Sequence, residues 1–156
     1  MQGPQKLIKV VAYITRSRHG KRQLLVFTHR DHPEAGLQVP AGTVKQDEGI
    51  EAALMREITE ETGLTGLTII RKLGTYTLHH PISNNLHERH VFHLAAPDDA
   101  PDAWQWTETC GGEIPDHEGY VFQLWWADLD GPIHLAGSQA DYIHLIRDAV
   151  SGNTDE

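Results

Sequence analysis

Two segments that are apolar at almost every position set the architecture of this chain. KLIKVVAYIT (Lys6–Thr15) and QLLVFTH (Gln23–His29) are rich in β-branched and large aliphatic residues, with no polar alternation to mark a wet face. A strand of that kind needs cover on both sides. The link between them, with Gly20 inside RSRHGKR, is short and polar, so the two strands are expected to pair as a hairpin. A sheet covered on both faces requires two further layers. A chain of 156 residues can supply them within one domain.

The period of the apolar residues changes at Ile50. Ile50, Leu54 and Ile58 recur at i, i+4 and i+8, one stripe of an amphipathic helix over Ile50–Thr62, and Gly63 follows as a left-handed C-terminal cap. The segment before it, RDHPEAGLQVPAGTVKQDEG, is broken by Pro33, Gly36, Pro40, Gly42 and Gly49 and reads as loop with a short extended piece at LQVP. Beyond the helix, TGLTIIRKLGTYTLHH reads as strand, glycine kink and strand. LHERHVFHLAA (Leu86–Ala96) and YVFQLWWADL (Tyr120–Leu129) read as strands. Pro97–Gly119 reads as a long irregular segment, uncommon in a compact domain unless it serves a site. GSQADYIHLIRDAV (Gly137–Val150) closes the chain as a helix with Ser138 as N-cap, and residues 151–156 form a flexible tail. The expected fold is α+β, one domain over residues 1–150 with a mixed central sheet covered on both faces.

The central helix carries an unusual charge pattern. At about 100° per residue, Glu57, Glu60 and Glu61 fall within an arc of about 100°, beside the Ile50/Leu54/Ile58 stripe rather than opposite it. They border the buried face. Glu57/Glu61 and Glu57/Glu60 are like-charge pairs at helical spacing, each unfavourable by about 0.2–0.5 kcal/mol when exposed and by more in a cleft. One reading is a solvated acidic face. The other is a divalent cation that removes the repulsion, and oxygen donors without His or Cys on that arc favour magnesium or manganese over zinc.

The formal net charge of −9 argues against a sequence-independent grip on nucleic acid, so no DNA binding is expected. The lone Cys110 excludes an internal disulfide and a thiolate zinc cluster. The N-terminal MQGPQKLIKV has no leader pattern, and no apolar run approaches the ~18 residues of a membrane span, so a cytoplasmic protein without membrane contact is expected. Oligomeric state is left open, a homodimer included.

The stretch GTVKQDEGIEAALMREITEETGL, Gly42 to Leu64, resembles the Nudix box of the Nudix hydrolases. That pattern is Gly, five residues, Glu, seven residues, Arg-Glu, an aliphatic, any residue, Glu-Glu, any residue, Gly and an aliphatic. Gly42, Glu48, Arg56, Glu57, Ile58, Glu60, Glu61, Gly63 and Leu64 match every fixed position. Just outside the fixed positions, Ala41 stands where the family often has glycine. The resemblance implies a three-layer α/β/α sandwich and metal-dependent hydrolysis of a nucleoside diphosphate linked to a group X. It implies Glu57, Glu60 and Glu61 as ligands of Mg2+ or Mn2+, with the Gly42 carbonyl as a further oxygen donor. Arg56 would hold Glu57 in its ligating rotamer, and Glu48 would support the site from the preceding loop. Some members take a general base from the late loop, which here points first to Glu118, then to Glu113 and Asp116. Cations between protein and substrate would reconcile an acidic chain with an anionic nucleotide. The alternative within the same resemblance is a non-catalytic Nudix-fold nucleotide sensor or regulator.

Weaker signals surround the box. Arg30, after the second strand, could meet substrate phosphate or simply face solvent. Trp104 and Trp106 could stack on a base or anchor their loop to the core. Trp125 and Trp126, adjacent on a strand, point to opposite faces. His87 and His90 are three apart on a strand and face opposite sides, which argues against a shared zinc ion despite the nearby His79, His80 and His93.

Overall fold

The computed structural model describes residues 3, 5–108, 119–137 and 139–147. The two apolar segments form β1 (Lys6–Arg18) and β2 (Lys21–His29), paired antiparallel with Thr15 opposite Leu24. The hairpin runs further than the apolar residues do, because its polar ends close onto the His19–Gly20 turn, where both residues have positive φ.

β3 (Ala41–Thr43), α1 (Ile50–Thr62), β4 (Thr68–His79), β5 (Leu86–Ala95), β6 (Ala103–Thr107) and β7 (Val121–Asp128) follow in order. One mixed sheet results, in the order β4-β5-β1-β2-β7-β6, with β3 attached to β1. The β1–β5 pair is parallel and every other pair antiparallel.

The pleat of β1 explains why both faces had to be apolar. Val10, Ala12 and Ile14 point to one side with Leu25, Phe27, Phe92, Leu94, Phe122, Leu124 and Trp126, and pack against Leu54 and Ile58 of α1. Val11 and Tyr13 point to the other side with Leu24, Val26 and Val91, and meet Leu129, Leu135, Ile143 and Ile146 from the C-terminal part of the chain. Leu54 and Ile58 are buried completely, each contributing about 2 kcal/mol of hydrophobic stabilisation. Trp126 faces the α1 side and Trp125 packs on the other, as their adjacency requires. The α+β sandwich with a mixed sheet is the expected fold.

Several local expectations are corrected. β4 is a single strand, and its irregularity takes the form of two register shifts against β5, between Ile69 and Arg71 and between Lys72 and Gly74. Within Pro97–Gly119 the described residues include a regular strand, β6, so Trp104 and Trp106 belong to the sheet and not to a loop. The LQVP piece makes only single bridges, Gln38 with Phe27 and Leu37 with Leu135. The strand lies just after it, at β3. At the C-terminus the described helical residues are 143–147, and the proposed cap Ser138 lies outside the described residues.

Candidate active site

α1 occupies Ile50–Thr62, and Gly63 ends it with φ 78° while its N–H donates to the Thr59 carbonyl at 3.0 Å. The last carbonyls of a helix lack intrahelical partners. Here two are claimed by the sheet: the Trp104 indole N–H donates to Thr62 O at 2.8 Å, and that of Trp106 to Glu60 O at 3.0 Å. β6 thereby fixes the end of the helix that carries the glutamates. Gly63 has no room for a side chain, since a Cβ there would lie 2.6 Å from the Trp106 ring.

Arg56 organises the acidic face. Its Nε and Nη2 donate to the two oxygens of Glu48 at 2.7 and 2.8 Å. Nη1 donates to Glu57 at 2.9 Å and Glu60 at 3.2 Å, and Nη2 also donates to Thr43 O at 3.0 Å. All five guanidinium N–H groups therefore have acceptors. The fork ties the loop to β3 and to α1, a bidentate geometry that lysine cannot supply. Its hydrogen bonds, with one from the Lys45 N–H, hold the Glu48 carboxyl down to about 2.

β3 brings Gly42 against the helix. A Cβ on Gly42 would lie 2.0 Å from Glu57 Cδ and 2.2 and 2.3 Å from its oxygens, so the carboxylate occupies the space that any side chain would take. One turn further on, Glu61 is only 5% exposed and accepts a hydrogen bond from the Ala41 N–H at 3.2 Å. Burial raises its pKa well above the ordinary carboxylate range, followed by a hydrogen bond to Glu57 and by its charge. Burial and the charge of Glu57 also raise Glu60, whose Oε2 is buried with no hydrogen-bond partner.

The carboxylates are thus crowded but not yet gathered on a common point: among the described residues, no three His, Cys, Asp or Glu side chains form a ready metal cluster. Glu57 and Glu60 turn toward Arg56, and Glu61 toward Ala41. The donor set nevertheless suits a hard dication. It consists of carboxylate oxygens alone, one is an orphaned buried acceptor, and Glu57 and Glu61 meet at the edge of the core, where burial raises the Glu61 pKa.

The other sequence candidates scatter. Arg30 is exposed, pairs with Asp31 at 3.2 Å, and lines a cavity of about 370 Å³ with His29, His32 and Tyr120. Trp104 lies on the α1 side of the sheet, bonded to the helix end, in the anchoring role. Glu113, Asp116 and Glu118 lie outside the described residues. Two features were not read from the sequence. Glu108, just past β6, adds to the negative field on Glu61. Lys9 of β1 feels the Glu57 charge and donates to Thr43 Oγ1 at 2.6 Å. Lys9 lies on β1 and Glu108 directly after the end of β6, and strand pairing in three dimensions, not spacing along the chain, brings them near the box.

A sheet between two apolar layers, with the glutamate helix locked on one face and its loop strapped down by Arg56, is the Nudix sandwich. The NUDIX domain model matches residues 6–146, and the chain belongs to the Nudix family, a family of pyrophosphohydrolases that generally use divalent metal cations. Among solved structures, a UDP-X diphosphatase superposes with TM-score 0.65 at 16% identity; the match covers 98% of this chain but spans only 66% of that one. An Ap4A hydrolase from C. elegans gives TM-score 0.66 at 18% identity, covering 94% and 98% of the two chains. A MutT NUDIX hydrolase from Burkholderia pseudomallei gives 0.58 at 26% identity, covering 90% and 97%. No curated protein matches the chain significantly. Among the described residues, no helix is long and apolar enough to cross a membrane.

Proposed function

We propose that the chain hydrolyses a pyrophosphate bond in a nucleoside diphosphate linked to X, with Mg2+ or Mn2+ held by Glu57, Glu60 and Glu61 and by the Gly42 carbonyl. The observation that carries this reading is the Glu57 carboxylate seated in the side-chain space of Gly42 and facing the buried Glu61. A solvated acidic face would have spread these charges into water. Here they are pressed together at the edge of the core, an arrangement that a dication relieves.

Bound there, the cation would neutralise phosphate oxygens and acidify the attacking water. The rest of the work falls to the chain. Arg56 holds Glu57 and Glu60 in place and balances part of their charge in the resting protein. Glu48 anchors Arg56, so the loop and the helix move as one body. Trp106 and Trp104 fix the helix end, which limits how far Glu60 and Glu61 can shift. Such positioning supplies a large share of the rate in phosphoryl chemistry. The water's proton is assigned to an acid of the late segment, Glu118 first. The structural neighbours act on UDP-X and Ap4A, which share the phosphoanhydride linkage, and this supports that class for this chain.

The test is a panel of nucleotide sugars, dinucleoside polyphosphates and nucleoside triphosphates, assayed with and without divalent metal. Mononucleotide release should require the metal, and Glu57→Gln or Glu61→Gln should lower it at least about 100-fold with the fold intact by circular dichroism. Full activity in both variants would overturn the assignment.

A further inference from the structure

A second charged pocket, of opposite sign, adjoins the glutamates. β1 and β5 run parallel with Lys9 in register with Arg89 and Leu7 with His87. Side chains of one parity share a face, so Lys9, His87 and Arg89 project from the face opposite α1, along with Val11. His80 stacks on His87 with ring centroids 4.9 Å apart and planes at 20°. These four side chains, with Gly42 and Gln139, line a cavity of about 180 Å³.

Like charges placed side by side on neighbouring strands are unfavourable. The four groups feel one another: Lys9 and Arg89 lower the pKa of His87, and Arg89 lowers that of Lys9, each effect adding to that of burial. No acidic residue lines the cavity. Lys9 donates to the Thr43 hydroxyl and Arg89 to the Tyr76 hydroxyl at 3.3 Å, both neutral partners. Among the described residues, neither cation has a carboxylate at salt-bridge distance. His87 is 8% exposed, and its Nδ1 is buried without a hydrogen-bond partner. A structural basic cluster would be neutralised by neighbouring acids. Here the one acid whose charge is felt is Glu57, which acts on Lys9 from a distance without pairing with it, and the lining itself carries only basic and neutral side chains.

Its location gives it a role. Gly42 borders this cavity and also receives the Glu57 carboxylate, so the two sites meet across one residue of β3. A volume of about 180 Å³ is smaller than the roughly 300–1,000 Å³ of pockets that enclose whole drug-sized ligands, but it accommodates a phosphate-bearing fragment. We propose that this cavity is an anion subsite for a substrate phosphate lying outside the bond that is cut. The inference rests on the glutamate site being where the pyrophosphate is cleaved. It narrows the substrate class to nucleoside polyphosphates, or to nucleoside diphosphates whose X group is itself phosphorylated, over those with a neutral sugar.

Calorimetric titration with inorganic tripolyphosphate in EDTA tests the subsite apart from hydrolysis, because without metal the glutamates repel the anion. Wild type should bind it; Lys9→Met and Arg89→Met should each weaken binding at least tenfold, and Lys9→Arg should restore most of it, with melting temperature as the fold check. With metal present, Lys9→Met should lower kcat/KM for a dinucleoside tetraphosphate at least tenfold more than for UDP-glucose. If no compound is hydrolysed but tripolyphosphate binding follows this pattern, the subsite stands and the hydrolase reading falls. No binding to wild type, or binding unaffected by both methionine variants, overturns the subsite.

Discussion

Replacing Gly42 with alanine separates the stability of this fold from its chemistry. The new Cβ would lie 2.0 Å from Glu57 Cδ, whereas ordinary contact begins near 3.4 Å, so the carboxylate must retreat by more than about 1 Å. The displaced atoms are the end of a flexible side chain, and the backbone of β3 need not move. Glu57 would lose its 2.9 Å bond to Arg56, a charged contact of about 1.5–3 kcal/mol when buried and less at this partly exposed site. Against that, alanine restricts the unfolded chain by about 0.4–1 kcal/mol. The net change in unfolding free energy is therefore about 1 kcal/mol, a shift of a few degrees in Tm. Catalysis should suffer far more, since a misplacement of about 1 Å costs on the order of 100-fold, or about 2.7 kcal/mol of activation free energy. Urea unfolding and kcat/KM with a hydrolysed nucleotide, measured on the same preparation, check both halves. A variant that folds normally and keeps kcat/KM within threefold of wild type would refute the claim that Glu57 must sit where it does.

Gly63→Ala should behave in the opposite way, as a stability variant. Its φ of 78° costs an alanine about 1–2 kcal/mol, and its Cβ would push the Trp106 ring off Glu60 O, for a total of about 2–3 kcal/mol in denaturant unfolding; a loss below 0.5 kcal/mol would contradict the cap. His93 gives a pH signature. Burial, then the charges of Arg22 and Arg71, depress it to about 4, and it meets Thr15 Oγ1 at 2.8 Å. Because its folded pKa lies below the unfolded value near 6.5, the unfolded chain binds more protons between the two. The stability His93 contributes is present above about pH 6.5 and is lost as pH falls toward 4. His93→Gln should flatten that part of the stability profile in urea titrations at pH 7 and pH 4.5, and equal slopes for variant and wild type would count against it.

How far the sequence carried depended on the range of the signal. α1 was legible to the residue, because Ile50, Leu54, Ile58 and Gly63 are local marks of a helix and its end. β1, β2 and β7 were legible from their apolar runs, and β5 from the loose alternation that puts Leu86, Phe92 and Leu94 on one parity. β6 was not: AWQWT alternates, but its five residues lie among prolines, aspartates and glycines, and only pairing with β7 and docking on α1 make it a strand. For Trp104 the anchoring reading stood beside the stacking one, but its partner, Thr62 O, could not be named because it is 42 residues away. Within the candidate site, the box residues were visible as a spacing. The fivefold grip of Arg56 and the fit of Glu57 against Gly42 appear only when β3 is laid beside the helix. Lys9 and Arg89 gave no signal at all, since nothing in two distant strands announces a parallel register.

The account depends on the acidic end of α1 being a cation site, and manganese binding followed by electron paramagnetic resonance measures that without reference to turnover. Wild type should take up Mn2+, and Glu57→Gln and Glu61→Gln should each weaken uptake at least tenfold while keeping the wild-type circular dichroism spectrum. Mn2+ affinity unchanged in both folded variants would contradict it.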